Sequence, residues 1–154
     1  MMQQKNSHKL IFHADDDEDD RMLFMDAIAE LDLPFTVKQA CDGKELLESL
    51  NHNRLEIPEI VFLDINMPGI GGFECLKEIR DAKDRLNRLR IIMLSTSGTR
   101  ENIRRSFELG ADLYAVKPSS FAGLKDMLYE ILASDLKAVQ KSSSKVYSVL
   151  NWLM

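Results

Sequence analysis

The chain has 154 residues, 45% hydrophobic and 29% charged, which suits one domain with a full core. A formal net charge of −5 argues against nonspecific nucleic-acid binding, and no apolar stretch approaches the ~20 residues that cross a bilayer. The first residues lack the apolar core of a signal peptide, and Cys41 and Cys75 make neither a metal pattern nor a disulfide framework, so the expected compartment is the cytoplasm.

Strand and helix patterns alternate along the chain. A first strand is expected over Lys9–Ala14. A helix follows from about Asp20 to Leu31, with Phe24, Ala27, Ile28 and Leu31 on one face. Leu33-Pro34 ends it, because proline cannot continue the hydrogen-bond ladder. A second strand spans Phe35–Ala40, Asp42-Gly43 turns the chain, and the next helix carries Leu46, Leu47 and Leu50 inward. Pro58 precedes a third strand that ends at Asp64. A helix from near Gly72 buries Phe73, Leu76 and Ile79, and a fourth strand spans Arg90–Leu94. A helix over Arg100–Leu109 turns Ile103 and Phe107 inward and closes at Gly110. A fifth strand covers Leu113–Val116. A last helix over Ser120–Ala133 buries Phe121, Leu124, Leu128 and Ile131.

Three of these strands are almost wholly apolar and lack alternation, the mark of strands covered on both faces. Five strand–helix repeats with right-handed crossovers make a doubly wound α/β fold, whose ligands sit at the carboxyl ends of the strands. Asp15, Asp16, Asp64, Ser95 and Lys117 all fall at such ends. Three carboxylates held together stay ionised only around a cation. Oxygen ligands without histidine or cysteine favour a hard ion, Mg²⁺ or Mn²⁺. An aspartate beside that ion can attack a phosphoryl group, a lysine adds a second positive charge, and a hydroxyl donates to a third oxygen.

These residues are similar to those of the receiver domain of two-component response regulators, most of all the free-standing, chemotaxis-regulator type. The resemblance runs from about Lys9 to Ala133. It is carried by Asp15-Asp16, by Asp64-Ile65-Asn66-Met67-Pro68-Gly69, by Ser95 and by Lys117-Pro118, with Arg21 and Asp42-Gly43 in support. It implies a five-stranded parallel sheet of flavodoxin-like order 2-1-3-4-5 with helices on both faces. It implies that Asp64 is the phosphoacceptor, that Asp16, Asp64 and the Asn66 backbone carbonyl bind Mg²⁺ directly and Asp15 through water, and that Ser95 and Lys117 hold the phosphoryl oxygens. Lys117-Pro118 is expected to be cis. Tyr114 matches the switch aromatic, expected to turn inward as Ser95 moves toward the phosphoryl group. Two positions depart from the commonest pattern: Thr96 stands where a smaller residue is usual, and Ser119 where phenylalanine is, with Phe121 able to take over that packing.

The expected organisation is an N-terminal extension over residues 1–8, the receiver over 9–134, and a C-terminal extension over 135–154 too short for an effector domain. Within that extension, Lys141–Lys145 reads as a linker, and Val146, Val149, Leu150 and Leu153 as an apolar stripe beside Trp152. The implied function is a stand-alone switch, not an enzyme in the ordinary sense. It takes a phosphoryl group from a sensor histidine kinase or phosphotransfer protein and signals through a downstream protein, as monomer or homodimer, without nucleic acid or membrane. Two other readings are weighed beside it. A Mg²⁺-dependent phosphatase would want a second aspartate where Asn66 stands. A constitutive scaffold would not need the intact set of acids, hydroxyl and lysine. Asp15-x-Asp17-x-Asp19 also mimics a calcium loop, but Asp20 and Asp26 stand where glycine and glutamate are needed. Asp19 and Asp20 read as solvated acids at a helix start, favoured by the helix dipole, and His13 carries no derivable role.

Overall fold

The computed structural model describes residues 8–52, 56–137 and 145–147, with 135–137 and 145–147 as backbone only. Six strands and five α-helices alternate: β1 (Lys9–Ala14), α1 (Glu18–Leu31), β2 (Phe35–Ala40), α2 (Gly43–His52), β3 (Ile60–Asp64), α3 (Gly72–Asp81), β4 (Arg90–Ser95), α4 (Arg100–Glu108), β5 (Leu113–Val116), α5 (Phe121–Lys137) and β6 (Lys145–Tyr147). A 3-10 turn, Arg85–Arg88, precedes β4. The strands form one parallel sheet in the order β2-β1-β3-β4-β5-β6. The expected order 2-1-3-4-5 is present, and a sixth strand is added beyond it. Lys145 belongs to that strand and not to a linker. Residues 141–144 and the stripe positions Val149, Leu150, Trp152 and Leu153 lie outside the described residues.

Side chains alternate across a strand, and here both faces are buried. Ile11, Ile60, Phe62, Ile92, Leu94, Leu113 and Ala115 meet Phe24, Ala27 and Ile28 of α1 and Met127, Leu128, Ile131 and Leu132 of α5. Phe12, Val61, Leu63, Ile91, Met93 and Tyr114 face the other way, toward Leu46, Leu47 and Leu50 of α2 and Cys75, Leu76 and Ile79 of α3. Ile103 and Phe107 of α4 pack against this second cluster while staying partly exposed. β3 is buried at every position, which is why it reads as an unbroken apolar run.

Helix starts follow local chemistry. Asp17 caps α1 by accepting the Asp20 N–H at 3.0 Å, so the helix begins two residues before the expected Asp20. Thr99 caps α4 in the same way, through the Asn102 N–H. At the head of α3, Glu74 reaches back to the Gly71 N–H at 2.8 Å. Gly72 is required by closeness: a Cβ there would stand 2.3 Å from the Asp64 carbonyl oxygen. The bare backbone lets α3 start directly under the end of β3, which sets Asp64 at the sheet edge.

Candidate functional site

The parallel register brings the strand ends level. Ala14 pairs with Leu63, one residue before Asp64, and Asp64 pairs with Leu94, one residue before Ser95. Asp15, Asp16 and Asp64 each offer a carboxylate oxygen within 4.8 Å of the others. Asp15 is 1% exposed and Asp64 is buried, whereas Asp16 faces solvent. Lys117 enters from the end of β5. Its Nζ lies 2.8 Å from Asp15 Oδ2, 3.0 Å from Asp20 Oδ2 and 3.8 Å from Asp64 Oδ1. Four of the five strand-end residues singled out in the sequence thus converge.

Burial sets the electrostatics. It pushes the Asp64 carboxyl up to about 7, opposed by the Lys117 ammonium and reinforced by the carboxylates of Asp15 and Asp16. Burial pulls the Lys117 ammonium down, but the Asp15 hydrogen bond and the nearby Asp64 and Asp20 carboxylates outweigh it and leave it above its ordinary value. The cluster therefore carries more negative charge than one ammonium balances. An all-oxygen set of three carboxylates around a shared point fits a hard divalent cation. Asp15, Asp16 and Asp64 are the residues that would hold it.

Ser95 is fully buried, and its Oγ accepts the Ser97 N–H at 3.1 Å. The Lys117 backbone N–H donates to the Ser95 carbonyl at 2.7 Å, which ties the ends of β4 and β5 together. Tyr114 is also fully buried, and its hydroxyl donates to the Ser97 carbonyl at 2.5 Å. The ring is thus already inside. Thr96 is exposed and Phe121 half-buried among the α1/α5 side chains. The Lys117–Pro118 peptide is trans, since no cis bond occurs among the described residues. The expected cis bond is corrected: trans is the form an X–Pro bond ordinarily prefers, by about 0.5–1 kcal/mol, and Lys117 meets Asp15 from it.

Two features were not legible in the sequence. Asp20, read there as a solvated acid, grips Lys117 from α1. His13 is a buried neutral imidazole whose pKa is driven down to about 3 by burial, then by Lys117 and Arg21. It stacks on Phe24 with ring centroids 3.9 Å apart. The Gln39 side-chain amide donates to the Arg21 carbonyl and lies 2.9 Å from His13 Nδ1. With Nδ1 accepting, the imidazole proton sits on Nε2, which faces Asp15 Oδ2 at 3.9 Å. Arg21 in turn donates to the Asp15 carbonyl at 2.8 Å. The links of Gln39 to His13 and Arg21, and of Lys117 to Asp20, span 18 to 97 residues of chain, and local spacing carries no signal of them.

The model of the response regulator receiver domain matches residues 11–129. The chain belongs to the response regulator receiver family. This receiver is 32% identical over 126 residues to the chemotaxis protein CheY-3 of Vibrio cholerae, covering 82% of this chain and 93% of that one. It is 30% identical over 125 residues to the probable methanogenesis regulatory protein FilR2 of Methanothrix harundinacea, covering 79% of this chain and 80% of that one. Among solved structures, the phosphorylated cyanobacterial phytochrome response regulator RcpA superposes with a TM-score of 0.79 at 28% identity, over 87% of this chain and 98% of that one. Receivers are signalling domains, and the three-carboxylate pocket of this receiver fits that role. No helix among its described residues is long and apolar enough to cross a membrane.

Proposed function

We propose that this receiver is a cytoplasmic switch that accepts a phosphoryl group on Asp64 from a phosphohistidine of a sensor kinase or phosphotransfer protein. The observation that carries the reading is Asp64 itself: a buried carboxylate at a sheet edge, beside two more carboxylates and 3.8 Å from a lysine ammonium. An Asp64 oxygen forms the new O–P bond as the N–P bond of the donor breaks, and the departing imidazole keeps the electron pair and takes up a proton. A bound Mg²⁺ or Mn²⁺ supplies charge neutralisation for Asp64 and the incoming oxygens. Asp16 and the Asn66 carbonyl would share that ion with Asp64 directly, and Asp15 would reach it through water. Lys117 and the Ser95 hydroxyl take the remaining phosphoryl oxygens.

Readout is proposed to run through Ser95, Ser97 and Tyr114. When the Ser95 hydroxyl turns to a phosphoryl oxygen, the Ser97 N–H loses its acceptor. Ser97 then shifts, and so does the carbonyl that holds the Tyr114 hydroxyl. The α4–β5–α5 surface follows, and a downstream protein reads it. Because Tyr114 is already inside, the change is an exchange of hydrogen-bond partners at Ser97 and not an inward swing. On the input side, Met22, Leu23 and Met25 are exposed on α1, and Leu23 lines the same cavity as Asp15 and Lys117, an apolar surface on which a donor helix can rest.

Intact-mass spectrometry with a small phosphodonor tests the reading. The expected result is a Mg²⁺-dependent gain of one phosphoryl group in the wild type and none in Asp64→Asn. Steady donor turnover without gain would instead favour the phosphatase reading.

A further inference from the structure

Both oxygens of Asp15 are already engaged. Oδ1 accepts the Asp17 N–H at 2.9 Å, and Oδ2 accepts Lys117 Nζ at 2.8 Å. A cation that draws on Asp15 Oδ2 therefore shares that oxygen with the Lys117 ammonium, and the two like charges oppose each other there. Asp20 offers that ammonium a second carboxylate, at 3.0 Å. Asp20 is not spent on its own helix: its N–H is capped by Asp17, while its carboxylate reaches across 97 residues of sequence to β5. A cavity of about 90 Å³ opens on the same side, lined by Asp15, Asp20, Lys117, Leu23, Phe121 and Leu124 among others. The ammonium thus has room on the Asp20 side and carboxylates on both.

We infer that Asp20 is a positioning residue for Lys117, the exchange partner that keeps the ammonium neutralised while a divalent cation takes over Asp15 and Asp64. The inference rests on the cation site proposed above. A lysine ammonium suits this task because it is a point charge with rotatable donors, free to change partner without a fixed fork geometry. Without Asp20, Lys117 falls back on Asp15 and Asp64 and holds them against the metal. Asp20 thereby raises cation affinity without touching the cation.

Mn²⁺ binding to the unphosphorylated protein tests this, followed by the electron paramagnetic resonance signal of the free ion. No phosphodonor is present, so the outcome is independent of whether Asp64 is phosphorylated. Asp20→Asn is expected to weaken Mn²⁺ binding about fivefold, the scale of one partly exposed ion pair. Asp20→Glu, whose carboxylate still reaches Lys117, restores most of it. In a Lys117→Met background Asp20→Asn changes affinity by less than about twofold, because only a screened long-range charge remains. Circular dichroism confirms that each variant is folded. Equal losses with and without Lys117 would reduce Asp20 to a nearby negative charge and overturn the inference, as would no loss in the wild-type background. If the wild type itself binds no Mn²⁺ at millimolar concentration, the cation site and this inference fall together. If it binds Mn²⁺ and Asp20→Asn has no effect, the inference falls alone.

Discussion

Two long cationic side chains enter this fold from its rim, and they are held in opposite ways. Arg80 of α3, 18% exposed, spends its guanidinium on the carbonyls of Gly110, Asn87 and Leu89 and on Asp112 Oδ2, at 2.6 to 3.0 Å. Asp112 also accepts the Ile91 N–H, so the same contacts clasp α3, the 3-10 turn, β4 and the loop after α4. The Lys117 ammonium, 13% exposed, is paired with carboxylates, at 2.8, 3.0 and 3.8 Å. The planar fork meets fixed backbone acceptors and locks. The point charge meets side-chain anions that outnumber it and can be exchanged among them. Similar burial thus yields a structural staple at one place and a movable counter-ion at the other. The acceptors, and not the depth, make the difference.

The largest expected effect concerns the charges around Lys117. Asp64 has a folded pKa of about 7, above its ordinary 3.8, so it contributes stability that grows as pH falls through that window. His13 has a folded pKa of about 3, below its ordinary 6.5, so its contribution is full above 6.5 and is lost as pH falls. Between pH 4.5 and 6.5 the two slopes oppose each other, each about 1.4 kcal/mol per pH unit. Urea unfolding without divalent ions is expected to show the cancellation broken in the variants. Relative to wild type, Asp64→Asn loses about 2–3 kcal/mol over that range, and His13→Phe gains a similar amount. Parallel profiles for all three proteins would count against the buried-charge picture.

Arg80→Ala is expected next, at about 2–3 kcal/mol, because it strips charged hydrogen bonds from Asp112 and three carbonyls. Arg80→Lys recovers less than half, since an ammonium cannot span the four acceptors. Full recovery by lysine would remove the contrast between the two sites. Lys117→Met costs about 1–2 kcal/mol without Mg²⁺ by leaving Asp15 without its ammonium. Millimolar Mg²⁺ reverses most of that loss and does nothing for Arg80→Ala, as thermal unfolding with and without the ion would show. The smallest effect belongs to a pair that is neither lock nor switch. Lys77 and Asp81 are about two-thirds exposed at 65% and 66%, and Lys77→Ala leaves the thermal midpoint unchanged within error.

Much of the site was readable because it lies where strands end. Asp15, Asp64, Ser95 and Lys117 each close an apolar run, and parallel strands in register bring such ends to one edge. The helix faces were readable for a similar reason: Phe24, Ala27 and Ile28, or Leu46, Leu47 and Leu50, repeat at the helical period. Asp20 was misjudged because an acid in the first turn of a helix already has a local reason to be there, and nothing nearby marks its distant partner. In the fold Arg104 pairs with Glu101 and Glu108, and Arg105 lies over the Phe73 ring, 4.5 Å from its centroid.

The sequence by itself determined the order of elements, the double burial of the sheet and the set of groups at its carboxyl edge. Those properties follow from periodicity, strand composition and the residues that stop each run, all of which act over a few positions. Only the tertiary structure decided how the charges are shared. It set which carboxylates Lys117 holds, joined the buried His13 to Gln39, enclosed the Tyr114 ring and added the β6 backbone beyond β5. Each depends on segments far apart in the chain meeting in a low-dielectric interior, where an ångström of separation changes an interaction energy and spacing along the chain does not.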